Sequence, residues 1–141
     1  MSYVAARLEH VRSYYESLNT GDADAVAAHF TEDAVHYYTR REPQLGARTI
    51  AENAALGVQH LNARWTLEHA VEGSDEVAIE WSMVFDHPRT GERCLDRGAE
   101  FLRFRDGRIC EVRAYYHGGV PRNLSGDLVG FDHAGRGHTT L

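Results

Sequence analysis

The sequence predicts an α+β fold in which a curved antiparallel sheet wraps around helices. Apolar residues recur at helical spacing in the N-terminal part of the chain and alternate at strand spacing from residue 64 to residue 117. Short turn signals separate the alternating segments. The resulting element order is helix, helix, strand, helix and four strands, which is typical of helices packed on one side of an antiparallel sheet.

The first two helices meet at one capped corner. Asn19-Thr-Gly21 ends the first helix, and Asp22 caps a second helix that buries Val26 and Phe30. The first helix has a single apolar stripe, formed by Val4, Leu8, Val11, Tyr15 and Leu18. Two short helices are therefore predicted to lie over the sheet.

The remaining elements follow from the same two periodicities. The first strand is predicted over Ala34–Thr39 and the third helix over Ala47–Val58. Two strands, Arg64–Glu72 and Glu76–His87, come next. Each has one apolar face: Trp65, Leu67, His69 and Val71 on the first, and Val77, Ile79, Trp81, Met83 and Phe85 on the second.

The last hairpin, Cys94–Phe104 with Arg108–His117, fits either a two-residue turn at Asp106-Gly107 or a three-residue loop that begins at Arg105. The three-residue loop places the even-numbered residues of both strands on one buried face, with Glu100 opposite Val112 and Gly98 opposite Ala114. Glu100 is then a carboxyl group on an apolar face, beside small residues that leave room for a ligand.

Composition restricts the function classes. The 141 residues suffice for one domain, predicted over residues 1–117 with a glycine-rich tail over 118–141. The net charge is −6 and the arginines are scattered among acids, which argues against nucleic-acid binding. No segment resembles a signal peptide or a membrane span, so the expected location is the cytoplasm.

Neither a metal nor a cofactor is expected. Cys94 and Cys110 match no zinc spacing, and the predicted hairpin register does not bring them together as a disulfide. The nine histidines include no pair at HExxH spacing.

Several motifs together resemble ketosteroid isomerase and the related SnoaL-like polyketide cyclases of the nuclear transport factor 2-like superfamily. They are Leu18-Asn-Thr-Gly-Asp22, Phe30, Asp33-Ala-Val35, Gly46, and Phe104, Gly107 and Val112-Arg-Ala114. The resemblance covers about residues 3–117 and implies a cone-shaped sheet around three helices. It is specific for the fold and weak for the reaction, because these motifs mostly build the scaffold.

The resemblance also implies roles for single residues. Tyr14 falls at the position of the isomerase's oxyanion-hole tyrosine, and Glu100 at that of its protonated second carboxylic acid. The isomerase's proton-shuttling aspartate is replaced by Tyr38. His36 lies two residues earlier on the same strand, so it shares the inward face with Tyr38 and is the substitute base.

The resulting hypothesis is a cofactor-independent acid–base enzyme, an isomerase, cyclase or dehydratase, that acts on a small apolar molecule with a carbonyl group. His36 removes a proton, and Glu100 and Tyr14 donate hydrogen bonds to the developing enolate. Tyr38 and Tyr116 orient the substrate. Trp65, Trp81 and Met83 form an apolar wall.

Alternatives remain open at this point. The same pocket suits a ligand-binding module without chemistry, and Asp96, Arg97 and Glu100 loosely resemble the Asp-Arg-Asp arrangement of limonene epoxide hydrolases, where His117 replaces a final acid. Tyr14 competes with Tyr15, which lies nearer the middle of the apolar stripe. A homodimer is expected through the outer face of the sheet, which carries Arg97, Phe101, Arg103, Arg113 and Tyr115.

Overall fold

The computed structural model describes residues 3–117 and 126–141. Three helices and six strands build the domain: α1 (Tyr3–Leu18), α2 (Ala23–Ala27), β1 (Phe30–Tyr37), β2 (Gln44–Leu45), α3 (Ala47–Leu61), β3 (Arg64–Glu72), β4 (Glu76–Asp86), β5 (Arg93–Arg105) and β6 (Arg108–Tyr116). None of these helices is long and apolar enough to cross a membrane.

The six strands form one curved, unclosed sheet in the order β2-β1-β6-β5-β4-β3. The α+β prediction is confirmed, with two additions: the short strand β2 was not predicted, and β1 pairs with β6 in parallel, whereas all other neighbours are antiparallel. Helix α1 packs against β3 near one edge, and α3 packs against β1 near the other. The concave face between them holds the core.

Helix α2 begins as the sequence predicts. Asp22 is extended, and its carboxylate accepts hydrogen bonds from the backbone N–H groups of Asp24 at 2.9 Å and Ala25 at 3.4 Å. These bonds satisfy donors that have no partner within the helix. Val26 is then buried under α3.

The corner between α1 and β3 is fixed by a side-chain amide. Asn19 donates to the carbonyl oxygen of Trp65 at 2.8 Å and accepts from the N–H of Trp65 at 2.7 Å. This pair of bonds imitates one step of a β-ladder. It connects the end of the first helix to the strand that carries the Trp65 ring.

The hairpin register differs from the prediction. Asp106 and Gly107 both have positive φ angles, 52° and 77°, so the turn is the two-residue kind. A register shift between Arg103 and Phe104 then places Glu100 opposite Ala114 rather than Val112. The predicted pairing was wrong by two residues, but Glu100 still faces the core because an even shift preserves the face.

Strand β3 also contains an irregularity that the alternation did not indicate. The register shifts between Leu67 and His69, and the residues beyond it change faces. Val71, predicted to be inward, is 52% exposed. Beyond the shift Ala70, rather than Val71, packs against the core, and the apolar face of β4 continues through Val77 and Ile79.

The outer face of the sheet is partly covered by residues 126–141. Arg97, predicted to lie on an open dimer surface, is only 7% exposed because it donates to the Asp127 carboxylate at 2.5 Å and to the Thr139 carbonyl at 2.6 Å. The Glu68 carboxylate accepts from Ser82 and from the Thr139 N–H, both at 2.7 Å. Residues 118–125 of the predicted tail lie outside the described residues.

Candidate active site

A cavity of about 500 Å³ lies between α1, α3 and the concave face of the sheet. All eight residues that the sequence predicted for the site line this cavity: Tyr14, His36, Tyr38, Trp65, Trp81, Met83, Glu100 and Tyr116. They come from α1 and five of the six strands, with Tyr38 just after β1. The geometry therefore assembles the predicted set and leaves open which member does which chemistry.

Glu100 is the buried acid of the cavity. It lies on β5 with 4% exposure, and its neighbour across the ladder is the small Ala114. Burial raises its pKa to about 7, although a hydrogen bond from Tyr15 acts in the opposite direction. At neutral pH this carboxyl group therefore exists in comparable amounts of its acid and its base, the condition suited to moving a proton.

Tyr15, not Tyr14, is the direct partner of Glu100. Its hydroxyl donates to the Glu100 carboxylate at 2.5 Å, across 85 positions of sequence. Tyr14 packs its ring edge-on against Tyr15 and Phe30. Burial, followed by the charge of Glu100, raises the pKa of both tyrosines, so both hydroxyls stay protonated. The sequence did not identify Tyr15 as a functional residue. Its central position in the apolar stripe indicated that its side chain is buried, but not that it binds Glu100.

His36 is a buried neutral imidazole. Its ring stacks on Tyr38 with centroids 4.2 Å apart and planes 14° from parallel. Burial lowers the pKa of His36 to about 4, although a contact with the Tyr37 backbone acts in the opposite direction; the Arg41 cation adds a smaller lowering. Its buried Nδ1 has no hydrogen-bond partner among the described residues. Such an atom is costly to leave unpaired, so it marks a position where a ligand atom fits.

Aromatic rings form a wall beside Glu100, around Gly98 on the same face of the sheet. Trp81 packs edge-on against Tyr116 at 5.7 Å, and Tyr116 against Tyr38 at 6.4 Å. The Tyr38 hydroxyl donates to the Gln44 side chain at 2.8 Å. Gly98 is required behind Trp81, because a Cβ there would lie 2.5 Å from the indole Cζ2. The wall is thus apolar and tightly positioned.

The residues of the epoxide-hydrolase alternative do not meet. Asp96 and Glu100 line the cavity, but Arg97 points to the outer face, where it is enclosed by Glu68 and Asp127. His117 lines a separate depression on that outer side together with Arg97. The Asp-Arg-Asp resemblance is therefore wrong as a spatial arrangement, because Arg97 lies three residues from Glu100 and strand alternation sends the two side chains to opposite faces.

No metal ligands are assembled in the parts of the chain that the structure describes, where no three side chains of histidine, cysteine, aspartate or glutamate meet at metal-binding distance. Cys94 and Cys110 are both free thiols. The described side chains that can do chemistry in the cavity are the carboxyl groups of Asp96 and Glu100, the imidazoles of His36 and His60, the Arg41 guanidinium and phenol hydroxyls.

Comparisons with known proteins agree with this architecture. The SnoaL-like domain family model matches residues 11–112. A protein of unknown function with a cystatin-like fold from Methylobium petroleophilum is 31% identical, with a TM-score of 0.71 over 98% of this chain and 93% of that chain. No curated protein matches the sequence.

Two further solved structures share the fold at lower identity. One is a putative polyketide cyclase from Xanthomonas campestris, 24% identical with a TM-score of 0.68 over 82% of this chain and 93% of that chain. The other is the epoxide hydrolase/cyclase-like enzyme SalBIII of pyran ring formation in salinomycin, 19% identical with a TM-score of 0.72 over 84% of this chain and 95% of that chain.

The opposite pKa shifts of Glu100 and His36 predict opposite effects of pH on stability. The raised pKa of Glu100 lowers the free energy of unfolding as pH rises from about 4.5 to about 7, by about 3 kcal/mol. The lowered pKa of His36 raises it as pH rises from about 4 to 6.5, by a similar amount. In the wild type the two effects largely cancel.

Single substitutions should separate the two effects. In urea unfolding from pH 4 to pH 8, Glu100→Gln should gain stability over the wild type toward high pH, and His36→Phe should gain toward low pH. The exposed Glu52→Gln serves as the control and should run parallel to the wild type. Parallel curves for all three variants would contradict the burial of the two charges.

Proposed function

The chain belongs to the SnoaL-like domain family, and we propose that it is a cofactor-independent acid–base enzyme, an isomerase, cyclase or dehydratase, acting on a small, mostly apolar carbonyl compound. One observation carries the proposal. Glu100 is a buried carboxyl group inside the cavity, held by Tyr15, with a pKa of about 7. A group that titrates near the working pH is the most effective proton carrier.

Glu100 is the proton carrier in this proposal. Its carboxylate takes a proton from the carbon next to the substrate carbonyl, and the electron pair of that C–H bond moves into the carbonyl as an enolate. The acid form of Glu100 then returns the proton at another carbon or to a leaving group. Tyr15 holds one carboxylate oxygen, so the carboxyl group enters the reaction already oriented.

His36 is assigned to the developing enolate rather than to proton abstraction. An imidazole with a pKa of about 4 is a weak base at neutral pH. In the tautomer that carries hydrogen on Nδ1, the unpartnered atom donates to the carbonyl oxygen. The Tyr14 hydroxyl, which stays protonated, is the second donor.

The aromatic wall selects the rest of the substrate. Tyr38 and Tyr116 present ring faces and edges, and Trp65, Trp81 and Met83 extend the apolar surface. A molecule that fills about 500 Å³ against these rings gains affinity mainly from burial of its apolar area. The few polar groups then fix its orientation.

A second candidate is a ligand-binding module that performs no chemistry. The unpartnered buried Nδ1 of His36 favours it equally, because a bound ligand atom satisfies that nitrogen whether or not a reaction follows. The two candidates differ in whether Glu100 exchanges a proton with the ligand.

Hydrogen–deuterium exchange at the carbon next to a carbonyl tests the proposal directly. A panel of 1,3-diketones and β,γ-unsaturated ketones in D2O, followed by proton NMR, should exchange faster with the protein than in buffer. The rate should rise with pH to a plateau above about 7, the pKa of Glu100. Glu100→Gln should lower it by roughly 10²–10⁴-fold.

The same measurement distinguishes Glu100 from His36 as the base. If His36 removed the proton, the limb of the pH profile would lie near 4, and Glu100→Gln would leave the limb unchanged. His36→Phe should reduce the rate while the limb stays near 7. Tight binding of the panel with no exchange above buffer would establish the binding module instead.

We also propose a homodimer through the part of the outer face that residues 126–141 leave open. Phe101 and Tyr115 are exposed there, at 36% and 56%, and their rings meet edge-on at 6.3 Å. Arg113 lies over Phe101 at 5.2 Å. Exposed aromatic residues with an arginine are enriched in interface cores.

Sedimentation velocity at micromolar concentration should therefore show a dimer, and Tyr115→Glu should convert it to a monomer because the new charge would be buried unpaired. Leu45→Glu, at an exposed apolar position on β2, is the matched control and should leave the dimer intact. A wild-type monomer, or a dimer insensitive to Tyr115→Glu, would refute this interface.

A further inference from the structure

Arg41 lies at the mouth of the cavity, where it is exposed to solvent and also lines the cavity wall. Its guanidinium carbon is 4.5 Å from the centroid of the Tyr38 ring. His36 stacks on the same ring at 4.2 Å, so the cation and the imidazole occupy opposite faces of Tyr38. A single aromatic ring separates the positive charge from the interior.

The charge of Arg41 reaches into the cavity. Burial has the largest effect on the pKa of both His36 and Tyr38, and the Arg41 cation lowers the pKa of each. Low-dielectric walls such as these aromatic rings strengthen an electrostatic field more than open solvent does. Arg41 therefore contributes a positive potential to the cavity in a chain whose net charge is −6.

No carboxylate compensates Arg41 within residues 3–117 and 126–141. The chain has 21 acidic residues, yet none of those in the described ranges lies within 4.0 Å of the Arg41 guanidinium nitrogens. Two other exposed arginines, Arg48 and Arg105, each form an ion pair with an aspartate. Arg41 thus differs from them in having its donors available at a cavity entrance.

A guanidinium placed over an aromatic ring can keep those donors usable. A guanidinium that lies over an aromatic ring directs its N–H bonds outward in its own plane, where they can form two parallel hydrogen bonds to a carboxylate. One cation matches one negative charge. Phosphate would bring a second charge, whereas Arg41 is the one arginine among the described residues that line the cavity.

We infer that the natural substrate is a keto acid, whose carboxylate binds Arg41 at the mouth while its carbonyl group lies beside His36 and Glu100. The position of the carbonyl rests on the proposed function, whereas the recognition of the carboxylate by Arg41 does not. The apolar middle of the molecule then contacts the aromatic wall. Arg41 is a binding residue that sets specificity for an anionic ligand.

Matched pairs of neutral and charged ligands test this inference without any turnover. Isothermal titration calorimetry would compare 4-acetylbenzoate with 4-acetylbenzamide, and levulinate with levulinamide. The acids should bind the wild-type protein about tenfold more tightly than the amides, as expected for one charge-assisted contact. The preference should decrease when the salt concentration is raised from 0.05 to 0.5 M.

Three variants identify the residue responsible. Arg41→Gln should remove the preference for the acids while leaving the affinity for the amides unchanged, and Arg41→Lys should keep part of it because the charge remains without the planar fork. Arg48→Gln removes an arginine that is paired outside the cavity and should have no effect. Arg41 is exposed, so these variants should fold normally, as circular dichroism would verify.

Either of two results would overturn the inference. One is the absence of a preference for the acid in both pairs, which includes a failure of all four compounds to bind. The other is a preference that persists in Arg41→Gln. A preference for the acids without deuterium exchange would support carboxylate binding by Arg41 and refute the proposed chemistry. Deuterium exchange of neutral ketones without a preference for the acids would support the chemistry and refute the role of Arg41.

Discussion

The hydrogen bond from Tyr15 to Glu100 is the interaction on which the site depends. A carboxyl group with 4% exposure is unfavourable in an apolar cavity when it is charged, and the 2.5 Å bond from the phenol partly offsets that cost. The bond joins α1 to β5, so the position of the acid depends on how the first helix crosses the sheet. Asn19, at the end of that helix, fixes the crossing through Trp65.

Burial has opposite consequences for the two titrating groups of the cavity. It penalises the charged form of each, so it raises the pKa of Glu100 and lowers the pKa of His36. His36 is therefore neutral at physiological pH, whereas Glu100 has a pKa close to physiological pH and exists in both forms. The roles in the proposed mechanism follow from this asymmetry, and they reverse the sequence-based hypothesis in which His36 was the base and Glu100 a hydrogen-bond donor.

The sequence predicted the fold and the membership of the cavity, because both depend on patterns that are local. Helical spacing located α1, the Asp22 cap located α2, and strand alternation placed His36 and Glu100 on the inner face. The register of the last hairpin was not predictable in the same way. Two arrangements leave the same residues facing inward. One is the observed two-residue turn with positive φ angles combined with a register shift, and the other is the predicted three-residue loop.

Long-range contacts account for the rest of what the sequence could not provide. The partner of Glu100 is 85 residues away, and nothing in the apolar stripe distinguishes a packed Tyr15 from a hydrogen-bonded one. The sequence predicted an exposed Arg97, because strand alternation indicates which face of the sheet a side chain occupies but not which segment covers that face. Residues 126–141 cover it through Asp127 and Thr139.

A carbon-13 NMR titration of labelled glutamate side chains, with Glu100→Gln to assign the signal, tests the central claim most directly. We expect a pKa of about 7 for Glu100 in the wild type and a higher value in Tyr15→Phe, because the phenol hydrogen bond stabilises the carboxylate. An ordinary glutamate pKa near 4.5, or a value that does not change in Tyr15→Phe, would contradict it.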